Sequence, residues 1–227
     1  MYRLALWMAI FVAAVPQGFS QTEGDLKNDT NGVPQGFSVR VEAKDTLYCK
    51  EQPVILLRSR LIYENDGNEN VVVHRSAPSL SSIVASTRKP DGGSAVAWTS
   101  HNYMEGSYIT YLGEIDKPDE LLTAVIKPGQ KFVFDDFLIT LLFYGNRGFK
   151  DKIGTFNMKL NFVTTPPDKV NELRDRWRKS YGFLFPDYFA AEPLTIEFKD
   201  QSRQPPVLCG DIGPYYNNLL QGKIEPK

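Results

Sequence analysis

Along residues 155–163, Phe156, Met158, Leu160 and Phe162 alternate with polar neighbours. In an extended chain successive side chains point to opposite faces, so this period gathers the apolar residues on one side of a strand and leaves the other side to solvent. The same pattern recurs at both ends of the body. Phe37, Val39 and Val41 alternate with Ser38, Arg40 and Glu42, and Leu194, Ile196 and Phe198 alternate late in the chain. Half-buried strands of this kind are stable only when a second layer covers their apolar faces.

Between these segments lie further strand-like runs separated by turn formers. Val54, Leu56, Leu61 and Tyr63 belong to a strand that opens after Pro53 and ends at Glu64-Asn65-Asp66-Gly67-Asn68. Val71-Val72-Val73 is short and β-branched, and 82–87, 95–99, 108–112 and 121–126 give further candidates. Phe132-Val133-Phe134 follows the turn Lys127-Pro128-Gly129, and a separate apolar run covers Phe137 to Tyr144. One helix interrupts the series. Pro166, Pro167 and Asp168 precede Val170, Leu173 and Trp177, whose i, i+3, i+7 spacing predicts a helix over about 167–180 lying across one sheet as a lid. The expected fold is mainly β: an immunoglobulin-like antiparallel β-sandwich over residues 37–200 with one inserted α-helix. The Pro- and Asn-rich tail, 201–227, is expected to be irregular.

Several of these motifs together resemble a known family. They are Leu61-Ile62-Tyr63-Glu64-Asn65, Val71-Val72-Val73, Pro90-Asp91-Gly92-Gly93 with Val96-Ala97-Trp98-Thr99-Ser100, Lys127-Pro128-Gly129-Gln130 before Phe132 and Phe134, and Gly154-Thr155-Phe156. The pattern is similar to bacterial immunoglobulin-like domains of the intracellular proteinase-inhibitor (BsuPI) type, over roughly residues 37–165. The resemblance implies the fold and a proteinase-inhibitor-like alternative for function, and it transfers no inhibitory residue. The chain departs from that family in its N-terminal segment, its helix and its cysteine-bearing tail.

The N-terminus has the layout of a signal peptide: Arg3, then an uncharged apolar run from Leu4 to Val15, then Gly18 and Ser20 before Gln21. Cleavage after Ser20 would place the mature chain in a secreted or periplasmic compartment; an uncleaved anchor is the alternative. The apolar run is short for a membrane span, and none is expected in the mature chain. Residues 21–36 read as a flexible leader. They include the sequon Asn28-Asp29-Thr30 and part of a hexapeptide, Val-Pro-Gln-Gly-Phe-Ser, that occurs at 15–20 and again at 33–38. Two cysteines, Cys49 and Cys209, either pair across the chain in an oxidising compartment or stay as two free thiols.

Charge and motif content exclude several function classes. The formal net charge of −1 becomes −2 once Arg3 is removed with the leader, so nothing points to nucleic acid or an anionic membrane. Two histidines, His74 and His101, without metal-ligand spacing give no expected cofactor or metal. There is no Gly-x-Ser-x-Gly elbow and no phosphate loop, so an enzyme is not expected. A carboxylate-based hydrolase remains the catalytic alternative, because its two acids are set by distance in space and not by spacing in sequence. The segment most like a binding loop is 98–111. Trp98, His101, Asn102, Tyr103 and Tyr108 combine rigid amphipathic rings with adaptable hydrogen-bonding groups, as protein- or carbohydrate-binding surfaces do. The alternative is that Trp98, Tyr108 and Tyr111 sit on strands and fill the core. A second aromatic group, Tyr181, Phe183, Phe185, Tyr188 and Phe189, is either core under the helix or an exposed apolar patch.

Overall fold

A computed structural model describes residues 33–49, 54–88, 94–101, 117–142, 154–163, 170–185, 188–199 and 220–227. The strands are β1 (Phe37–Tyr48), β2 (Val54–Asn65), β3 (Val71–His74), β4 (Ser79–Arg88), β5 (Ser94–His101), β6 (Thr123–Ile126), β7 (Gln130–Leu142), β8 (Gly154–Val163), β9 (Phe183–Leu184), β10 (Tyr188–Ala190), β11 (Leu194–Phe198) and β12 (Lys223–Pro226). The one described helix, α1, spans Val170–Ser180. The chain is mainly β, as the alternation requires.

One sheet has the order β1-β2-β7-β12 and a second the order β10-β8-β4-β5, with β11 also on β8. A small third sheet, β6-β3-β9, holds the parallel pair β3–β9. The first two sheets share one apolar core. Ile55, Leu57, Leu61 and Phe134 from one side meet Ile83, Met158, Leu160 and Phe162 from the other. Rings carry the contact across the layers: Phe137 and Phe162 lie 5.8 Å apart edge-on, and Tyr63 meets Phe189 at 5.8 Å. Such pairs add about 0.5–1.5 kcal/mol each beyond the area they bury.

Alternation decides which side each residue takes. In β3, Val71 and Val73 join the main core, while Val72 faces the other way into a cluster with Leu173, Trp177 and Leu184. The helix therefore covers the small sheet, the lid position its spacing predicts. Its C-terminus turns at Gly182, whose backbone at φ +131° passes Asn70 so closely that a Cβ would lie 2.3 Å from the Asn70 carbonyl oxygen. Most of the second aromatic group is core: Phe183, Phe185 and Phe189 are buried, Tyr181 is partly buried against the helix cluster, and Tyr188 is exposed.

Three expectations are corrected. The two runs 132–134 and 137–144 are one strand up to Leu142, joined through a bulge at Asp135 and Asp136, with Asp136 in the left-handed region at φ +58°. The run from Leu121 begins as strand only at Thr123, because Asp119 first makes a turn that leaves Leu121 exposed. The tail is not irregular throughout: Lys223–Pro226 add β12 to the edge of β7. Sequence alternation is nearly silent there, since Ile224 is the only apolar residue besides the proline and backbone pairing supplies the contact.

Candidate functional site

The outward face of the β1-β2-β7-β12 sheet carries an ordered array of charge. Strand register places the residues in rows: Glu64, Lys131 and Glu225; then Arg40, Ile62, Val133 and Lys223; then Arg60 beside Asp135, with Glu42 across from Arg60. Signs alternate within the first and third rows, and the row between them carries only the cations Arg40 and Lys223. Arg60 donates to Asp135 at 2.9 Å and to Glu225 at 3.0 Å, and lies 3.6 Å from Glu42. Lys223 meets Asp135 at 2.7 Å and Glu225 at 3.2 Å. Arg40 pairs with Glu42 and Glu64, and Lys131 and Lys227 both reach Glu64. In the same array Ile62 and Val133 are 1% exposed, and neither belongs to the apolar cores.

Titration follows the pairing. The hydrogen bond from Lys223 leads in holding Asp135 below the usual carboxylate range, with Arg60 adding to it. Burial pushes Glu64 upward, but Lys227, Lys131 and Arg40 together outweigh it and leave the carboxyl low. The hydrogen bond to Glu42 raises the Arg40 guanidinium further. These acids are held ionised and engaged, an arrangement suited to a fixed surface and unsuited to proton transfer near neutrality. Solvent screening keeps each of these exposed pairs weak by itself.

Two bulges divide this face. β1 gains Lys44 between Ala43 and Asp45, and β7 gains its extra residue at Asp135–Asp136, so both flank Ser59 and Arg60 of β2. Lys44 bridges them, 3.2 Å from Asp136. Ser59, fully buried, donates to the Phe137 carbonyl at 2.8 Å where the ladder is interrupted. Past the bulges the outward face holds one ion pair, Arg58 with Asp45, and then Leu47, Leu56 and Thr140, with Leu138 across from Arg58.

A second polar centre fixes the opposite end of β2. The fully buried Asn65 donates from Nδ2 to the carbonyls of Glu69 (2.8 Å) and Ile126 (2.9 Å), and its Oδ1 accepts from the Gly67 amide at 3.1 Å. Its own carbonyl accepts from Gly129 at 2.7 Å. The turn signals at 64–68 and 127–130 are thus one interlocked unit. Gly36 enters it too: its φ is +84°, and a Cβ there would lie 2.8 Å from the Gly67 nitrogen, so the last residues of the expected leader dock on the body.

The predicted binding residues divide between described and undescribed chain. Trp98 and His101 lie on β5, their backbones paired with Ala85 and Ser82. The segment is therefore strand through His101, and any loop begins after it. Asn102, Tyr103 and Tyr108 lie outside the described residues. Cys49 is buried at the end of β1, and Cys209 lies outside the described residues. His74, which sequence reasoning left without a role, is buried at the end of β3 with Nε2 lacking a hydrogen-bond partner, and burial lowers its pKa to about 4. Among the described residues no three His, Cys, Asp or Glu side chains form a metal-holding group, and no helix is long and apolar enough to cross a membrane.

Fold and surface together define a mainly β, two-layered domain with a lidding helix and a charge-paired outer face. Comparison with protein-family models, with curated proteins and with solved structures returns no match.

Proposed function

We propose that this chain is a non-catalytic binding module that acts outside the cytoplasm, secreted or periplasmic after cleavage following Ser20, and that it engages a protein or carbohydrate through the segment that continues from β5. The observation that carries this reading is the placement of Trp98 and His101 on the strand that ends the described order β10-β8-β4-β5. The aromatic and amide residues Asn102, Tyr103 and Tyr108 follow that strand in sequence, and their composition is that of protein- and carbohydrate-binding surfaces. Pairing of Asp135 and Glu64 with cations on the outer face of the β1-β2-β7-β12 sheet supports a non-catalytic role. A Cys49–Cys209 disulfide belongs to the same reading. Cys49 is buried, no free thiol stands among the described residues, and an exported chain meets an oxidising compartment.

The test is titration of the mature protein with a panel of soluble oligosaccharides and cell-surface proteins, followed by tryptophan fluorescence and calorimetry. Tyr103→Ala and His101→Ala should each weaken any detected binding at least tenfold while leaving the melting temperature in place. Unchanged affinity in both variants would remove this segment from the function.

The proteinase-inhibitor-like reading keeps one specific support. The two turns that resemble that family, at Asn65 and at Lys127 to Gln130, are hydrogen-bonded to each other through Asn65 and Gly129. Incubation with extracellular proteases, reading the cleavage rate of a reporter peptide, decides it; no slowing at stoichiometric protein counts against inhibition.

A further inference from the structure

We infer that the outward face of the β10-β8-β4-β5 sheet is a glycan-binding platform, and that its ligand is an acidic polysaccharide of the uronate class, met by Tyr188, Asn157, Asn161 and Lys159. The inference deepens the binding-module reading given above and rests on it. Alternation defines the face. Phe156, Met158, Leu160 and Phe162 of β8 belong to the core, so Asn157, Lys159, Asn161 and Val163 take the other side. On β10 Phe189 is core and Tyr188 points outward; on β11 Ile196 is core and Thr195 points outward.

Register sets these residues in rows. Tyr188 pairs with Val163, Asn161 lies between Ala190 and Ser82, Lys159 is opposite Val84, and Asn157 lies between Thr195 and Ser86. From Asn157 to Val163 the strand runs about 20 Å, long enough to lie along several sugar rings. The Asn161–Ser82 row continues in register to His101 of β5, so the platform adjoins the start of the segment proposed for binding. Amides and hydroxyls here replace the ion pairs of the other sheet. Thr195 Oγ1 donates to Asn157 Oδ1 at 2.8 Å, which fixes that amide and leaves its Nδ2 without a partner among the described residues. Asn161 Nδ2 donates to Ser82 Oγ at 2.8 Å and keeps its Oδ1 for a ligand. A fixed donor and a fixed acceptor on one surface suit sugar hydroxyls, each of which both donates and accepts.

The ring at one end of the platform supplies the apolar contact. Tyr188 is exposed although its neighbours in the aromatic group, Phe185 and Phe189, are buried. Its face can take the C–H side of a sugar ring while its hydroxyl stays wet. Charge narrows the ligand class. Lys159 is exposed in the middle of the platform and makes no ion pair among the described residues. On the other sheet Lys44, Lys131, Lys223 and Lys227 are each engaged by a carboxylate. Lys159 has Val84 as its register partner, and its neighbours along β8 on this face are Asn157 and Asn161. One unpaired ammonium among neutral donors and acceptors complements a carboxylate carried on an otherwise neutral, hydroxylated chain.

Calorimetric titration of the whole mature chain tests the platform, with oligosaccharides of galacturonate, glucuronate and mannuronate set against neutral cello- and xylo-oligosaccharides. At least one acidic series should bind about tenfold more tightly than the neutral ones. Tyr188→Ala and Asn157→Ala should each weaken that binding about tenfold with the melting temperature in place, since both side chains are exposed. Lys159→Gln should erase the preference for the acidic series, while Lys127→Gln, the same change of charge at the turn before β7, should leave it intact. Binding of none of the acidic series, equal binding of neutral ones, or an equal loss in Lys127→Gln would overturn the inference. So would a protein partner, and no oligosaccharide, that loses affinity in Tyr188→Ala. Tyr103→Ala separates the two readings. Loss in Tyr103→Ala with none in Tyr188→Ala or Asn157→Ala removes the platform and keeps the segment after β5; the reverse pattern removes that segment and keeps the platform.

Discussion

Acidification should destabilise this protein through a single imidazole before its carboxylates begin to protonate. His74 is buried at the end of β3 opposite Thr123, and its Nε2 has no hydrogen-bond partner. Burial lowers its folded pKa to about 4, against about 6.5 in an unfolded chain. The unfolded state then binds the extra proton at the higher pH, so stability rises with pH across this interval. The contribution is complete above the unfolded value and is lost as pH falls toward the folded one. The full difference is about 3 kcal/mol, of which about 2 kcal/mol goes between pH 7 and pH 5. For a domain of this size that lowers the melting temperature by about 4–8 °C. Urea unfolding at pH 7, 6 and 5 measures it, with His74→Leu as the variant that should flatten the profile and His101→Gln as the control for the other histidine. An equal decline in His74→Leu, or an NMR titration of the His74 ring near 6.5, would refute the reasoning.

Two further outcomes follow from the packing. Asn65→Ala should cost about 3–5 kcal/mol in urea unfolding, because it strands the carbonyls of Glu69 and Ile126 and the Gly67 amide together in a buried site. Trp177→Ala should cost about 3–5 kcal/mol, and hydrogen exchange should rise first over α1 and β9, since Trp177 packs with Val72, Leu173 and Leu184 apart from the main core.

Strands buried on one face and wet on the other were the readable part of this fold. β8 shows why: Phe156, Met158, Leu160 and Phe162 are all buried and their neighbours are not. β7 looks like two runs in the sequence because the bulge residue Asp136 breaks the period, and a bulge depends on what the partner strand requires. β9 and β10 are two and three residues long, too short for any period to register, and their rings were legible only as an aromatic cluster. Asn65 was visible as a turn former, but its role as a buried plug needs the Ile126 carbonyl, 61 residues away. The charge array is similar. Arg40 and Glu42, Arg60 and Glu64, and Lys223 and Glu225 each show local alternation. Which sign meets which is decided by register across four strands and by two bulges, and that information is not local. His74 left no trace in the pattern, because a single imidazole after three valines reads the same whether it is solvated or enclosed.

Because β12 completes a layer that β1 begins, synthesis imposes an order of events. The layer cannot close until residue 226 has been made, although its first strand emerges from residue 37. Until then the β7 backbone from Gln130 to Val133 lacks its last neighbour, and the Phe132 ring lacks the Gly222 backbone that packs against it. A nascent chain in this condition has an open strand margin from the synthesis of β7 until that of β12, the circumstance in which chaperone capture or mispairing with another chain is most favoured.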